Sequence, residues 1–320
     1  MNELSLHHIQ EAAKRIRGHA HVTPVLTSES LNQITGNEVF CKGEHLQKVG
    51  AFKFRGAFNA VSQLSRDQLD QGLITVSSGN HAQALSLAGK LFQSKVHIVM
   101  PTTASPVKKE AVKSYGAHIY PCGNVQHERE KALAEFQRKT GACYIHPFDH
   151  PHIIAGQGTV ALEMLDQIAD LDVLVAPVGG GGLLAGVALC AKSIHPELKV
   201  YGAEPLGADD AARSLACGER LPQKDPRTMA DGLQTGLGEW NWSIIKKSVD
   251  GILTVTENEI LQATRFIWER MKQLVEPSGA VSLAVVLSDE FRRLHQGQRI
   301  GLVFSGGNVR PDFFQFQKQS

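Results

Sequence analysis

Residues 176–186 read Ala176-Pro177-Val178-Gly179-Gly180-Gly181-Gly182-Leu183-Leu184-Ala185-Gly186. The apolar run Asp172–Val178 predicts a strand, four consecutive glycines end it, and a helical pattern, Leu183–Ile194, begins at once. Glycine is costly in regular structure and is placed where the backbone takes a positive φ or approaches something closely. Four in a row at a strand end leave a line of unobstructed N–H groups. With the N-terminus of the following helix they form a site for an anion, for which phosphate is the best match.

The same strand–turn–helix unit recurs along the chain. Short β-rich runs at Leu73–Ser77, Lys95–Met100, His118–Cys122, Cys143–His146, Lys199–Ala203, Gly251–Val255 and Arg299–Ser305 join Asp172–Val178 as predicted strands. Helical patterns at His81–Phe92, Pro106–Tyr115, Gln126–Thr140, Gly158–Ile168, Leu183–Ile194 and Glu257–Leu274 lie between them. Strands separated by such helices predict βαβ crossovers and mostly parallel sheets. Eight strands exceed the usual single sheet, so two α/β lobes are expected, with the ligand at the carboxyl ends of the strands.

Composition narrows the function. A net charge of +1 over 320 residues gives no electrostatic case for nucleic acid or an anionic membrane. No apolar run is long enough to span a bilayer, and the first residues lack the apolar core of a signal peptide. The scattered cysteines Cys41, Cys122, Cys143, Cys190 and Cys217 form no CxxC pair, which suggests reduced thiols in a cytoplasmic protein and no structural zinc.

The tetraglycine alone does not identify its anion. Gly180-x-Gly182-x-x-Ala185 fits a dinucleotide fingerprint, and Glu204 follows where a ribose-binding acid would stand. A nicotinamide dehydrogenase and a merely structural glycine turn both remain open on that evidence. Three other segments carry chemistry. In Lys48-Val49-Gly50-Ala51-Phe52-Lys53-Phe54-Arg55-Gly56-Ala57, Lys53 sits between two aromatics. An apolar setting lowers a lysine pKa and exposes an amine able to form a Schiff base, although a surface lysine covering the phenylalanines reads equally simply. Ser77-Ser78-Gly79-Asn80-His81 ends a strand and opens a helix, which suits a carboxylate or an ordinary N-cap. Val303-Phe304-Ser305-Gly306-Gly307-Asn308 ends a third strand with a hydroxyl beside glycines.

Taken together, these segments resemble the fold-type II pyridoxal-phosphate enzymes, in the branch of serine racemase and serine/threonine dehydratase. The resemblance runs nearly end to end through Thr23-Pro24-Val25-Leu26, the Lys53 segment, SSGNH, Ala155-Gly156-Gln157-Gly158-Thr159, the tetraglycine, Glu276-Pro277 and SGGN, in family order. It implies a two-lobed α/β fold like tryptophan synthase β, each lobe a mostly parallel twisted sheet flanked by helices. Residues 1–70 and 147–320 would form the large cofactor-binding domain, and 71–146 a small mobile domain closing over the substrate. Pyridoxal phosphate would be held on Lys53, with Phe52 near its ring. Gly179, Gly180, Gly181, Gly182 and Leu183 would cradle its phosphate, Asn80 would meet its 3′-oxygen, and Ser305 its pyridine nitrogen. A hydroxyl there, unlike an aspartate, leaves the nitrogen largely unprotonated and suits elimination or racemisation over transamination.

The resemblance also implies that Ser77, Ser78, Asn80 and His81 receive the substrate carboxylate and that Lys53 takes the Cα proton. Ser78 would act on the opposite face, which permits racemisation. The expected activity is a lyase converting small L-β-hydroxy amino acids, serine or threonine, to keto acid and ammonia. Serine racemase activity stands second. A 3-hydroxyaspartate ammonia-lyase stands third, with Arg129 for the second carboxylate. Glu204, the Ala208 carbonyl and Asp210 would hold Mg²⁺, or Ca²⁺ or Mn²⁺, as hard oxygen ligands. A homodimer is implied. Two departures, Glu29 after TPVLT and Val49 after Lys48, count against the ATP activation of animal racemases, whereas Arg270 and Lys272 match it. Phe148 in His146-Pro147-Phe148-Asp149 resembles bacterial dehydratases.

Overall fold

The strands are β1 (Val25–Leu26), β2 (Glu38–Lys42), β3 (Leu73–Val76), β4 (Val96–Pro101), β5 (His118–Cys122), β6 (Cys143–Tyr144), β7 (Val173–Pro177), β8 (Lys199–Pro205), β9 (Gly251–Val255) and β10 (Arg299–Val303). They come from a computed structural model that describes residues 4–77, 79–102, 104, 106–123, 126–310 and 312–316. Six strands form one sheet in the order β1-β2-β10-β7-β8-β9, and four form a second, β5-β4-β3-β6. β1 and β2 pair antiparallel; every other pairing is parallel. The fold is thus α/β with two mostly parallel sheets, as expected.

Each sheet reverses its strand order once. In the larger, β7, β8 and β9 step outward, and the chain then returns to place β10 on the other flank of β7. In the smaller, β3, β4 and β5 step outward and β6 returns beside β3. A crevice opens outside the carboxyl ends of the strands at such a reversal. The tetraglycine and Ser305 follow β7 and β10, while Ser77–His81 and Ile145–Pro147 follow β3 and β6. Both crevices therefore hold residues marked by the sequence.

The helices that position them are α1 (Lys53–Val61), α2 (Asn80–Leu91), α3 (Gln126–Thr140), α4 (Pro151–Gln167), α5 (Gly182–Ile194), α6 (Asp210–Cys217), α7 (Glu239–Ser248) and α8 (Pro277–Leu287). The predicted strands are present with ends moved by up to two residues, but β1 and β2 were not foreseen. α4 begins at Pro151, not at Gly158 as the pattern suggested, because His150 caps it and Pro151 has a helical φ already set. The helix expected over Glu257–Leu274 stops at Glu269. Gly156 inside α4 is there for close approach: a Cβ on it would lie 2.6 Å from Gly56 Cα and 2.7 Å from the Arg55 carbonyl oxygen. α4 thereby packs backbone to backbone on α1, while α5 and α4 bury a common apolar layer of Ile154, Val160, Leu184 and Val187 against β7.

An ion cluster locks this junction. The fully buried Arg55 grips the Glu44 carboxylate through Nε (2.8 Å) and Nη2 (2.7 Å), and Glu163 through Nη1 (2.7 Å) and Nη2 (2.8 Å). Lys42, also fully buried, donates to Glu163 (2.9 Å), the Thr23 carbonyl (2.7 Å) and Gln167 (2.7 Å). Two cations meet two anions, and each is hydrogen-bonded, which is the condition for tolerating charge away from water. Burial alone would raise the Glu163 pKa, but Arg55 and Lys42 hold its carboxyl below the ordinary range.

Arg55→Met leaves the buried carboxylate of Glu44 and the half-buried one of Glu163 short of a partner and is expected to cost about 3–5 kcal/mol in urea unfolding. The Glu163 contribution has a defined sign. Its folded pKa is depressed, so its stabilisation is intact above the ordinary carboxyl value of 4.5 and is lost as pH falls below it. Glu163→Gln should flatten that acid limb, read as unfolding free energy against pH.

Candidate active site

The four glycines follow β7 and are buried. Among the described residues nothing accepts from the N–H groups of Gly179, Gly180, Gly181 and Gly182. Buried, unpaired donors are rare in folded proteins and call for a partner. Gly181 has φ +91°, and Gly182 and Leu183 open α5, so the row of donors runs into a helix N-terminus. No carboxylate lies in the loop. This donor set fits a phosphate.

Lys53 begins α1 and is half-buried. Its Nζ donates to the Pro147 carbonyl (2.8 Å) and lies 5.2 Å from the Phe52 ring centre and 6.0 Å from that of Phe148. Burial lowers its pKa from 10.5 to about 8, so a substantial neutral fraction exists near physiological pH. The chain reaches Lys53 through a strained step: Val49, β-branched, sits at φ +57° and Gly50 at φ +69°. Asn308 donates to the Val49 carbonyl (2.7 Å), Ala51 bridges Gly306, and the Phe52 N–H donates to the Ser305 carbonyl (3.1 Å). Lys53 and Ser305 are therefore fixed to each other through their backbones. The Ser305 hydroxyl has no partner among the described residues and is left for a ligand.

The strap Ile145–Asp149 joins the two crevices. Ile145 accepts from the Thr75 hydroxyl (2.8 Å) and from His81 Nε2 (3.3 Å). Pro147 receives Lys53. Nδ1 of His146 accepts the N–H groups of Phe148 (3.2 Å) and Asp149 (2.7 Å). The ring is therefore neutral, in accord with burial pushing its pKa down to about 4. Asp149 caps α7 through the N–H groups of Glu239 (2.9 Å) and Asn241 (3.2 Å).

His81 is buried, and its pKa falls to about 3, first through burial and then through the charge of Lys53. Its imidazole carries no charge for a carboxylate; what it offers is a backbone N–H in the first turn of α2. Ser77 Oγ accepts from the Gly79 N–H (3.3 Å) and keeps its own proton available. Ser78 lies outside the described residues. Asn80 donates to Glu276 (2.6 Å) and accepts from Asn308 (2.9 Å), which leaves its second amide hydrogen for a ligand. Glu276, Asn308 and Pro147 belong to motifs quoted from the sequence but were given no role there; Asn241 had no sequence signal at all. Arg129 stands on α3 beside Cys122, at the edge strand β5 of the smaller sheet.

The predicted metal ligands lie together at the end of β8. Glu204 accepts from the N–H groups of Ala211 (3.0 Å) and Ala212 (2.8 Å) and so caps α6. Asp210 accepts from the Leu237 N–H (2.9 Å), while its other oxygen, Oδ1, is buried without a partner. Burial raises Glu204 to about 8 and Asp210 to about 6, and neighbouring acids add to both shifts. An orphaned carboxylate oxygen beside a second buried acid fits a hard cation. Among the described residues, however, no three acidic, His or Cys side chains converge, so carbonyls such as that of Ala208 and water would have to complete the shell.

Comparison with known proteins agrees with this chemistry. The family described as "Pyridoxal-phosphate dependent enzyme" matches residues 16–306. The chain is 46% identical over 312 residues to a serine racemase of Dictyostelium discoideum, covering 97% of this chain and 96% of that one. Among solved structures, maize serine racemase superposes with a TM-score of 0.96 at 41% identity, covering 99% and 98%. A solved threonine deaminase from T.th. does so with a TM-score of 0.90 at 44% identity, covering 96% and 99%. These values exclude the dehydrogenase alternative for the glycine loop.

Lys53 provides a direct test. In cofactor-free protein its reaction with an amine-selective acylating reagent should show a pH midpoint near 8 instead of 10.5. Between those values the unfolded chain holds the proton and the folded one does not, so the burden of burying the charge lifts as pH rises. The stability of the wild type relative to Lys53→Met should therefore increase from pH 8 to 10.5, measured by urea unfolding.

Proposed function

The chain belongs to the pyridoxal-phosphate-dependent enzymes, and we propose that it acts on L-serine and related small β-hydroxy amino acids. It eliminates the β-hydroxyl to give a keto acid and ammonia, and it inverts Cα in part of the substrate. One observation carries the reading: the Lys53 amine and the unpaired glycine N–H groups share one aromatic neighbour. The Phe148 ring lies 6.0 Å from Nζ and occupies the space a Cβ of Gly180 would need, 2.5 Å away. An amine and a phosphate site at one cleft match the two ends of pyridoxal phosphate.

Once bound, the cofactor supplies an electron sink for the pair left at Cα. Gly179–Gly182 and Leu183 would hold its phosphate, Phe52 would flank its ring, Asn80 would meet its 3′-oxygen and Ser305 its pyridine nitrogen. The neutral Lys53 amine removes the Cα proton, its lowered pKa matching it to work as a base near neutrality. Ser77, Asn80 and the N–H groups opening α2 bind the substrate carboxylate. Ser78 provides the second acid–base group, a role that rests on the SSGNH motif. Glu204, Asp210 and the Ala208 carbonyl would hold Mg²⁺, with water completing its shell. Segment 71–146 carries the whole smaller sheet and closes over the substrate against 1–70 and 147–320.

Racemisation now stands level with elimination, because the curated relatives at 44–47% identity are serine racemases while a threonine deaminase structure matches at 44%. Arg129 would serve 3-hydroxyaspartate. The protein works as a homodimer in the cytoplasm, a reading supported by the resemblance and by free cysteines throughout. No described helix is long and apolar enough to cross a membrane. Glu29 and Val49 weigh against activation by ATP.

The deciding assay incubates the enzyme with L-serine, L-threonine and both diastereomers of 3-hydroxyaspartate, with and without Mg²⁺, and quantifies keto acid and D-isomer. Both products are expected from L-serine. Consumption of none of these substrates overturns the reading. Ser78→Ala should lower D-serine formation by about 10²-fold or more, the scale of one acid–base group, while keto acid formation persists. Lys53→Ala should abolish both.

A further inference from the structure

Asn241 holds an unusual position. It lies in the first turn of α7, is fully buried, and its side-chain amide bonds to backbone carbonyls alone. Its Nδ2 donates to the carbonyl of Gly180 (2.6 Å) and to that of Phe148 (3.3 Å). Its Oδ1 is buried without a partner. Rotating the amide would rescue nothing, because Oδ1 would then face two carbonyl oxygens, so the donors fix the orientation. A buried acceptor left unpaired is a cost, and it is retained for the sake of the two donors.

The geometry of the peptide gives those donors a function. In a trans peptide the C=O of one residue and the N–H of the next point to opposite sides. Asn241 and the Gly238 N–H (3.1 Å) draw the Gly180 carbonyl toward α7. The Gly181 N–H must then point the other way, out of the packed side of the loop. Gly181 itself cannot adjust by gaining a side chain, since a Cβ would meet Asn241 Cβ at 2.9 Å. The second donor holds Phe148, whose preceding carbonyl, that of Pro147, receives the Lys53 amine at 2.8 Å.

We infer that Asn241 is a positioning residue: one amide sets the direction of the phosphate-binding N–H of Gly181 and, through Phe148, the distance from that loop to the dock of the Lys53 amine. The inference rests on the reading of Gly179–Gly182 as the cofactor phosphate loop.

The test compares pyridoxal 5′-phosphate with pyridoxal, which lacks the phosphate, by titrating each into cofactor-free protein and following absorbance. Wild type should bind the phosphorylated form far more tightly. In Asn241→Leu, similar in shape but without donors, that preference should fall about tenfold, the worth of one well-placed hydrogen bond. The phosphorus resonance of the bound cofactor should shift as well. Ser243→Ala, on the exposed side of the same helix, should leave the preference unchanged. If Asn241→Leu does not fold, Asn241→Ser is read the same way. A wild type that does not discriminate between the two compounds overturns the phosphate-loop reading itself. A wild type that discriminates, with variants that retain its preference or lose both affinities equally, overturns the role of Asn241 alone.

Discussion

A guanidinium held away from water between two carboxylates cannot move far without leaving charge unpaired, and Arg55 is in that position. Its two carboxylates come from separate parts of the chain, Glu44 just after β2 and Glu163 on α4, and Glu163 is held in turn by Lys42 of β2. Lys53 is only two residues away on the same helix. The cluster therefore fixes the base of α1 against β2 and α4, and with it the point from which the Lys53 side chain reaches. The close approach of Gly156 to Gly56 depends on the same contact, because any bulk there would prise α4 from α1 and open the ion pairs to water.

With that anchor in place, the site assembles from strand ends of two sheets. The reversal of strand order between β7 and β10 supplies the glycine N–H groups and Ser305, and the reversal between β3 and β6 supplies Ser77–His81 and Pro147. The cleft offers N–H donors, hydroxyls and one amine of lowered pKa, while its two nearest imidazoles, His81 and His146, are neutral. Among the described residues, nearby positive charge is thus confined to Lys53, the group proposed to act as the base. A cationic imidazole would depress the lysine further and compete for the same anion.

Much of this was legible because it is local. A strand followed by glycines and a helix makes anion-binding geometry whatever the surroundings, and a lysine between aromatics will be desolvated in most folds. The strands of Val173–Pro177 and Arg299–Val303 were readable from continuous apolar runs. β2 was not, since Glu38-Val39-Phe40-Cys41-Lys42 carries a charge at each end, and its Lys42 is buried only because Glu163 arrives from α4. His81 failed in the same way. Nothing in SSGNH indicates that its ring turns inward to a carbonyl 64 residues further along the chain. Asn241 was invisible for a stronger reason: its role is to hold backbone atoms of other segments, and backbone atoms leave no mark on the sequence.

The paired acids Glu204 and Asp210 extend the same logic beyond the cleft. Asp210 accepts from the Leu237 N–H, and the next residue, Gly238, donates to the Gly180 carbonyl. One peptide step thus separates a buried, under-compensated carboxylate from the brace of the glycine loop. Burial has raised the pKa of both acids, so each is destabilised as an anion until a proton or a cation arrives. A proton on Asp210 would weaken its hold on Leu237, since a neutral carboxyl is a poorer acceptor than a carboxylate. The proposed cation would keep the carboxylate charged and the Leu237 N–H in place. A cation bound there as proposed would be linked to the glycine loop by two consecutive backbone N–H groups, those of Leu237 and Gly238, and not through the substrate.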